Sequence, residues 1–172
     1  MVYNSDASEV DTTAAEAFEK FLVPTIFGPW SKAMVNHADA KAGDRLLDIG
    51  CGSGAAARYA KTIVGKFGSV SAIDLNEGMV TFAQMLDKKN EIDWQKGDVT
   101  DMPYKDQSFN IVVGNQLLQF LPDKDKGLRE MKRVLKQGGK LALTIYCPKN
   151  KNPAHEAIAK ALENNGVASK AV

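Results

Sequence analysis

The sequence predicts an α/β fold, a doubly wound parallel sheet, and three observations carry that expectation. Apolar segments with strand character alternate with segments of helical periodicity along most of the 172 residues, and strands separated by helices connect through right-handed crossovers into a parallel sheet. The run Leu46-Leu47-Asp48-Ile49 leads into Gly50-Cys51-Gly52-Ser53-Gly54, a strand followed by a glycine turn. Glycine accepts backbone angles that other residues cannot, and it lets backbone approach a ligand closely. The segment Ser69-Val70-Ser71-Ala72-Ile73-Asp74 then supplies a second strand that ends in a carboxylate.

The elements follow in order. Residues 11–23 have helical spacing through Ala14, Ala17, Phe18, Phe21 and Leu22, with Asp11 and Thr12 as capping candidates and Pro24 as the stop. A second helix is expected over 29–38, and Lys41-Ala42-Gly43-Asp44 turns the chain into a first strand over 45–49. Helices over 53–65, 76–89, 123–136 and 153–164 then alternate with strands over 69–73, 92–95, 109–114 and 140–146, with Asn76 as an N-cap and Gly138-Gly139 as a helix stop. No internal repeat or low-complexity segment interrupts the pattern.

The glycine turn and Asp74 together describe a crevice for an adenosine-bearing ligand, because a carboxylate about twenty residues beyond the turn can accept from both hydroxyls of a ribose. The spacing is G-x-G-x-G rather than the G-x-G-x-x-G of dinucleotide sites, and Asp48 stands two residues before the first glycine. A carboxylate there repels a pyrophosphate and favours a cationic or zwitterionic ligand, which points to S-adenosyl-L-methionine rather than NAD or FAD.

On these residues the chain resembles the class I S-adenosylmethionine-dependent methyltransferases, whose first motif is similar to Leu46–Gly54. Three further segments fall where that family has them: Asp74-Leu75-Asn76-Glu77-Gly78-Met79, the turn Lys96-Gly97-Asp98-Val99, and Ser108 to Leu141 with its strand, loop, helix and strand. The wording is nearest to the ubiquinone/menaquinone-biosynthesis-like, type 11 group, through Phe21–Trp30, Leu118–Asp123 and Asn152-Pro153-Ala154. The resemblance implies strand order 3-2-1-4-5 with the ligand between the first and fourth strands. It implies cofactor contacts from Asp48, Gly50, Gly52, Gly54, Asp74, Leu75, Met79, Asp98, Val99 and Asn115, with Asp98 accepting from the adenine amine and the Val99 N–H donating to the ring. Residues 1–40 would form a helical segment covering the cleft, 41–165 the S-adenosylmethionine-binding methyltransferase domain, and 166–172 a frayed tail. Members of that group continue further, with antiparallel strands that cover the fifth strand and part of the substrate. Without them the chain is expected to fold and bind S-adenosylmethionine but either to self-associate through the fifth-strand edge, along residues 140–146, or to transfer methyl groups poorly because the substrate cover is incomplete.

Composition narrows the partners. A formal net charge of +1 with 25% charged residues lacks the clustered basic surface that nucleic acid calls for. No apolar run reaches the length of a membrane span, and the polar N-terminus is not a signal peptide, so a cytoplasmic location is expected. Cys51 and Cys147 are too few for a disulfide framework or a zinc site, and no acidic cluster has metal-ligand spacing, so no metal is expected.

Methyl transfer is a direct displacement and needs no catalytic triad. His37 and His155, the chain's two histidines, are the candidate bases. Gly114-Asn115-Gln116-Leu117 is not the motif of enzymes that methylate planar amino groups, and paired glutamates are absent. The expected acceptor is a small apolar or aromatic molecule, in a pocket lined by Phe18, Phe21, Phe27, Trp30 and Phe120. Two other readings stand beside this one: a non-catalytic or incomplete S-adenosylmethionine-binding domain that needs a partner, and a nicotinamide-dependent oxidoreductase.

Overall fold

Strands β1 (Arg45–Ile49), β2 (Ser69–Asp74), β3 (Ile92–Lys96), β4 (Phe109–Asn115) and β5 (Leu135–Thr144) form one sheet of order β3-β2-β1-β4-β5. Every pair is parallel, and the order is the one the sequence resemblance implied. The computed structural model describes residues 10–147 together with 151, 160 and 164. Of the helix expected over 153–164 only Lys160 and Asn164 are among them, both helical. His155 and the tail over 166–172 lie outside the described residues.

The central strands are apolar on both faces because both faces are covered. Side chains alternate across a strand, so Leu46, Val70, Ile111 and Val113 enter one core, against Val35 of α2 (Gly28–His37) and Ala56, Ala57 and Ala60 of α3 (Ala55–Val64). Leu47, Ile49, Ile73 and Val112 enter the other, against Met131 and Val134 of α5 (Lys124–Val134). The alanines of α3 are almost wholly buried and let that helix lie close to β1. Two further α-helices are α1 (Thr13–Ala17) and α4 (Glu77–Leu86). Asn76 caps α4 as expected, its side chain accepting from Met79 N–H at 3.2 Å, and Asp123 caps α5 by accepting from Lys126 N–H at 2.8 Å.

Beyond shifts of one to three residues at element ends, such as α4 stopping at Leu86 rather than 89, two differences from the expectation have a physical cause. Pro24 does not end the first helix: the chain stays helical from α1 through a π-helical stretch, Phe18–Phe27, into α2. Proline lacks an N–H and crowds the preceding carbonyl in an α-helix, and the wider i→i+5 winding accommodates it. The second difference concerns β5, which begins at Leu135, directly after α5, so Gly138 and Gly139 interrupt a strand rather than stop a helix. Leu135 pairs with Phe109 and Lys140 with Ile111, and the surplus residues between them bulge at Gly138, whose φ is +76°. Among the described residues no strand pairs with the outer edge of β5.

Gly54 shows how closely the layers meet. Its φ is +87°, and a Cβ there would lie 2.3 Å from Trp94 Cη2 of β3. Gly54→Ala is therefore expected to destabilise the domain by about 2–4 kcal/mol, combining overpacking with left-handed strain. Urea unfolding checks this, and a loss of unfolding free energy below about 0.5 kcal/mol would contradict it.

Candidate functional site

The carboxyl ends of β1, β2 and β4 and the loop after β3 converge on a cleft of about 450 Å³, a size suited to a small ligand. The turn after β1 is held by its neighbour: Cys51 N–H donates to Ile73 C=O at 3.1 Å, and Gly52 N–H donates to Asp74 Oδ2 at 2.8 Å. Asp74 Oδ1 accepts from Asn76 N–H at 2.9 Å. Each carboxylate oxygen is thereby oriented and keeps lone-pair capacity for a further donor. Gly50 and Gly52 have φ of +61° and +53°, and a Cβ at Gly50 would meet Leu117 Cδ1 at 2.6 Å.

Of the residues the sequence singled out, Gly50, Asp74, Leu75, Asp98, Val99 and Asn115 line this cleft. Asp98 Oδ1 accepts from Thr100 N–H at 2.7 Å, and among the described residues no acceptor takes the Val99 N–H. Asp48, Gly50, Gly52 and Asn115 line a smaller adjoining cavity of about 50 Å³. Gly54 and Met79 line neither: Gly54 makes room for Trp94, and Met79 belongs to the first turn of α4. His37 is exposed in the last turn of α2, away from both.

Phe18 and Phe27 line both cavities, their rings 4.6 Å apart between centroids, and Phe120 lines the cleft. Phe21 and Trp30, expected beside them, do not line it and are 60% and 49% exposed. Cys51 is buried in the glycine turn, where burial pushes its thiol up, and Cys147 is exposed.

The sequence reading missed what joins the N-terminal segment to the site. Glu19, on the π-helical stretch, pairs with Arg58 of α3 at 2.6 Å and accepts from Ser53 Oγ at 2.6 Å. Asn115 Nδ2 donates to Phe27 C=O at 3.2 Å and to Ser31 Oγ at 3.0 Å, while its Oδ1 accepts from Thr144 Oγ1. These are pairings across long stretches of chain, for which a single sequence holds no local signal. Gln116, which follows Asn115 with φ of +58°, was also passed over.

Asp48 is the electrostatic oddity. It shares the face of β1 that packs on α3, is 1% exposed, and accepts from Ala57 N–H at 2.9 Å. Burial first, then the nearby Asp74 charge, pushes its carboxyl up from 3.8 to about 7, against the pull of the Ala57 bond and Arg58.

Residues 47–143 match the methyltransferase domain family, and the chain belongs to that family. Among the relatives, it is 36% identical over 118 residues to the 2-phytyl-1,4-naphtoquinone methyltransferase of Synechococcus elongatus, covering 66% of this chain and 51% of that protein. It is 38% identical over 121 residues to the demethylmenaquinone methyltransferase of Lactobacillus johnsonii, covering 66% and 48%. The chain thus spans about half the length of these curated relatives. A SAM-dependent methyltransferase from Aquifex aeolicus shares the fold, with a TM-score of 0.71 at 24% identity over 92% of this chain and 89% of that one. Among the described residues no helix is long and apolar enough to cross a membrane.

The raised pKa of Asp48 has a definite sign. The neutral carboxyl is compatible with burial, so its contribution is present in full below 3.8 and is lost as pH rises to about 7. Asp48→Asn keeps an acceptor for Ala57 N–H and is expected to raise stability at pH 8 by roughly 1–4 kcal/mol, a gain that vanishes toward pH 4. Denaturant titrations across that range check it, and parallel stability curves for the two proteins would contradict it.

Proposed function

We propose that this domain binds S-adenosyl-L-methionine and transfers its methyl group to a small aromatic acceptor related to the quinones. The observation that carries the reading is Asp74: its carboxylate holds the glycine turn through Gly52 N–H at 2.8 Å and lines the same cleft as Gly50, Asp98 and Val99. The donor set suits an adenosine bearing a cation. Asp74 offers acceptors to a ribose, Asp98 and the Val99 N–H offer an acceptor and a donor to an adenine, and Asp48 offers a carboxyl that a neighbouring positive charge would ionise. The names of the two quinone methyltransferases support the acceptor class.

The cofactor, when bound, supplies a methyl group on a positively charged sulfur that is its own leaving group. The chain's residues then have three tasks. The glycine turn and Asp74 orient the nucleoside; Phe18, Phe27 and Phe120 exclude water and take up an apolar acceptor; and the segment after β4 aligns the two. His37, exposed and outside the cleft, is poorly placed to act as a base there. Self-association through the outer edge of β5, unpaired among the described residues, belongs to the same proposal, and light scattering tests it.

Calorimetric titration with S-adenosylhomocysteine and with NADH decides the cofactor. Binding of the first and not the second is expected, and the reverse would replace this reading with the oxidoreductase one. Binding without methyl transfer to phenolic, quinone or thiol acceptors would mark the domain as a cofactor-binding module that needs a further segment or partner.

Asp74→Ala is expected to weaken S-adenosylhomocysteine binding by about 1.5–3 kcal/mol, as for hydrogen bonds to a charged group. The same substitution frees Gly52 N–H and Asn76 N–H, so stability should fall as well. An unchanged dissociation constant would remove Asp74 from the site. A second expectation concerns protons: binding of a cation beside Asp48 should release protons at pH 7, because it favours the ionised carboxyl. Calorimetry in buffers of different ionisation enthalpy reads this directly, and an identical heat in every buffer would contradict it.

A further inference from the structure

The cleft is divided by the order of the strands. Asp74, Leu75, Asp98 and Val99 come from the β2 and β3 side of Gly50, and Asn115, Gln116, Leu117, Phe120, Leu121 and Pro122, with Tyr146, come from the β4 and β5 side. On that second side the lining is mostly apolar, and its polar groups are few. The Asn115 side chain is committed to Phe27 C=O, Ser31 Oγ and Thr144 Oγ1. Gln116 differs. Its Oε1 accepts from Gln119 Nε2 at 3.1 Å, and its own Nε2 has no acceptor among the described residues, although the residue is 6% exposed and lines the cleft.

The backbone at Gln116 is strained to put it there. Its φ is +58°, a region that a residue with a Cβ enters at some cost and that recurs at functional sites. The strain is held by two bonds from its N–H, to Thr144 C=O at 3.0 Å and Thr144 Oγ1 at 3.0 Å. Behind it, Gln119 Oε1 is buried and has no partner among the described residues, an unmet acceptor of the kind that folded proteins keep rare. Gln116 therefore presents one open donor to the cleft, while Gln119, which does not line it, holds the Gln116 amide from behind.

We infer that Gln116 reads the acceptor: its Nε2 donates to an oxygen on an aromatic ring seated against Phe120, and Gln119 is a positioning residue that fixes the orientation of the Gln116 amide. The ligand class is an aromatic ring bearing an oxygen substituent, since that oxygen accepts from Gln116 Nε2. The inference rests on the methyltransferase reading for its setting, and its test is separable from that reading.

The probes are 1-naphthol and naphthalene, titrated into ¹⁵N-labelled protein with and without S-adenosylhomocysteine. The Gln116 carboxamide signal is assigned by its loss in Gln116→Met. 1-Naphthol should move that signal in the wild-type chain, and naphthalene should not. Gln116→Met should weaken 1-naphthol binding by roughly three- to tenfold, as for one hydrogen bond, and leave naphthalene binding unchanged. Gln116→Asn, which tolerates the left-handed backbone but falls short of the ring, should show the same selective loss and guards against misfolding of the methionine variant. Gln119→Met should broaden or shift the Gln116 signal in the free protein. Equal losses for both probes, a 1-naphthol shift that bypasses Gln116, or no 1-naphthol binding would overturn the inference. Failure of S-adenosylhomocysteine to bind would overturn the cofactor reading instead, and the titration without it would still decide the role of Gln116.

Discussion

The rest of the site depends on the hydrogen bond from Gly52 N–H to the Asp74 carboxylate. A chain leaving a central strand must turn within a few residues, and its turning N–H groups lose their ladder partners. Here a carboxylate from the adjacent strand takes one of them in a charge-assisted bond, and glycines at 50 and 52 allow the left-handed angles that aim the N–H at it. That bond sets where α3 begins. The start of α3 in turn places Ser53 and Arg58 against Glu19, and so the N-terminal helical segment, with Phe18 and Phe27, over the cavity. One contact between neighbouring strands thus orders residues from the first helix to the third.

Asp48 works against this economy. The alternation that sends Leu46 into the α3-facing core sends Asp48 the same way, and a buried carboxyl is unfavourable when charged. A leucine or valine at that position would serve the core better. The position surrenders stability beside the small cavity that Asp48 lines with Gly50, Gly52 and Asn115, which is the pattern that makes it a candidate for the proposed cofactor site. With its carboxyl pushed up to about 7, Asp48 holds only part of a negative charge at pH 7, and a neighbouring cation would call up the rest.

What was legible in the sequence was whatever is local or periodic. Strand-helix alternation, the glycine turn, the Asn76 cap and the strand-terminal Asp74 are written within a few residues of where they act, and each took its place. The failures have physical causes. Pro24 signals a stop only if the helix is α, and the π winding removes the clash on which that rule rests. Gly138 and Gly139 signal a stop only if the helix reaches them, but Leu135 is drawn into pairing with Phe109 first. Gly54 belongs to the glycine motif by spacing, yet what excludes a side chain there is Trp94, forty residues away in the chain. The Asn115 and Glu19 networks were invisible for the same reason: they exist only once distant elements are packed.

The π-helical stretch has a consequence for angular phase. Phe18 and Phe27 are nine positions apart, and at about 100° per residue an α-helix would put them half a turn out of step, on opposite sides. Winding with more residues per turn brings them back to one side, where their rings meet. The segment should therefore tolerate many substitutions that preserve its length, while the insertion or deletion of a single residue would rotate everything before it relative to α2 and carry one ring out of the cavity. In this part of the molecule chain length is the constrained variable and side-chain identity the freer one.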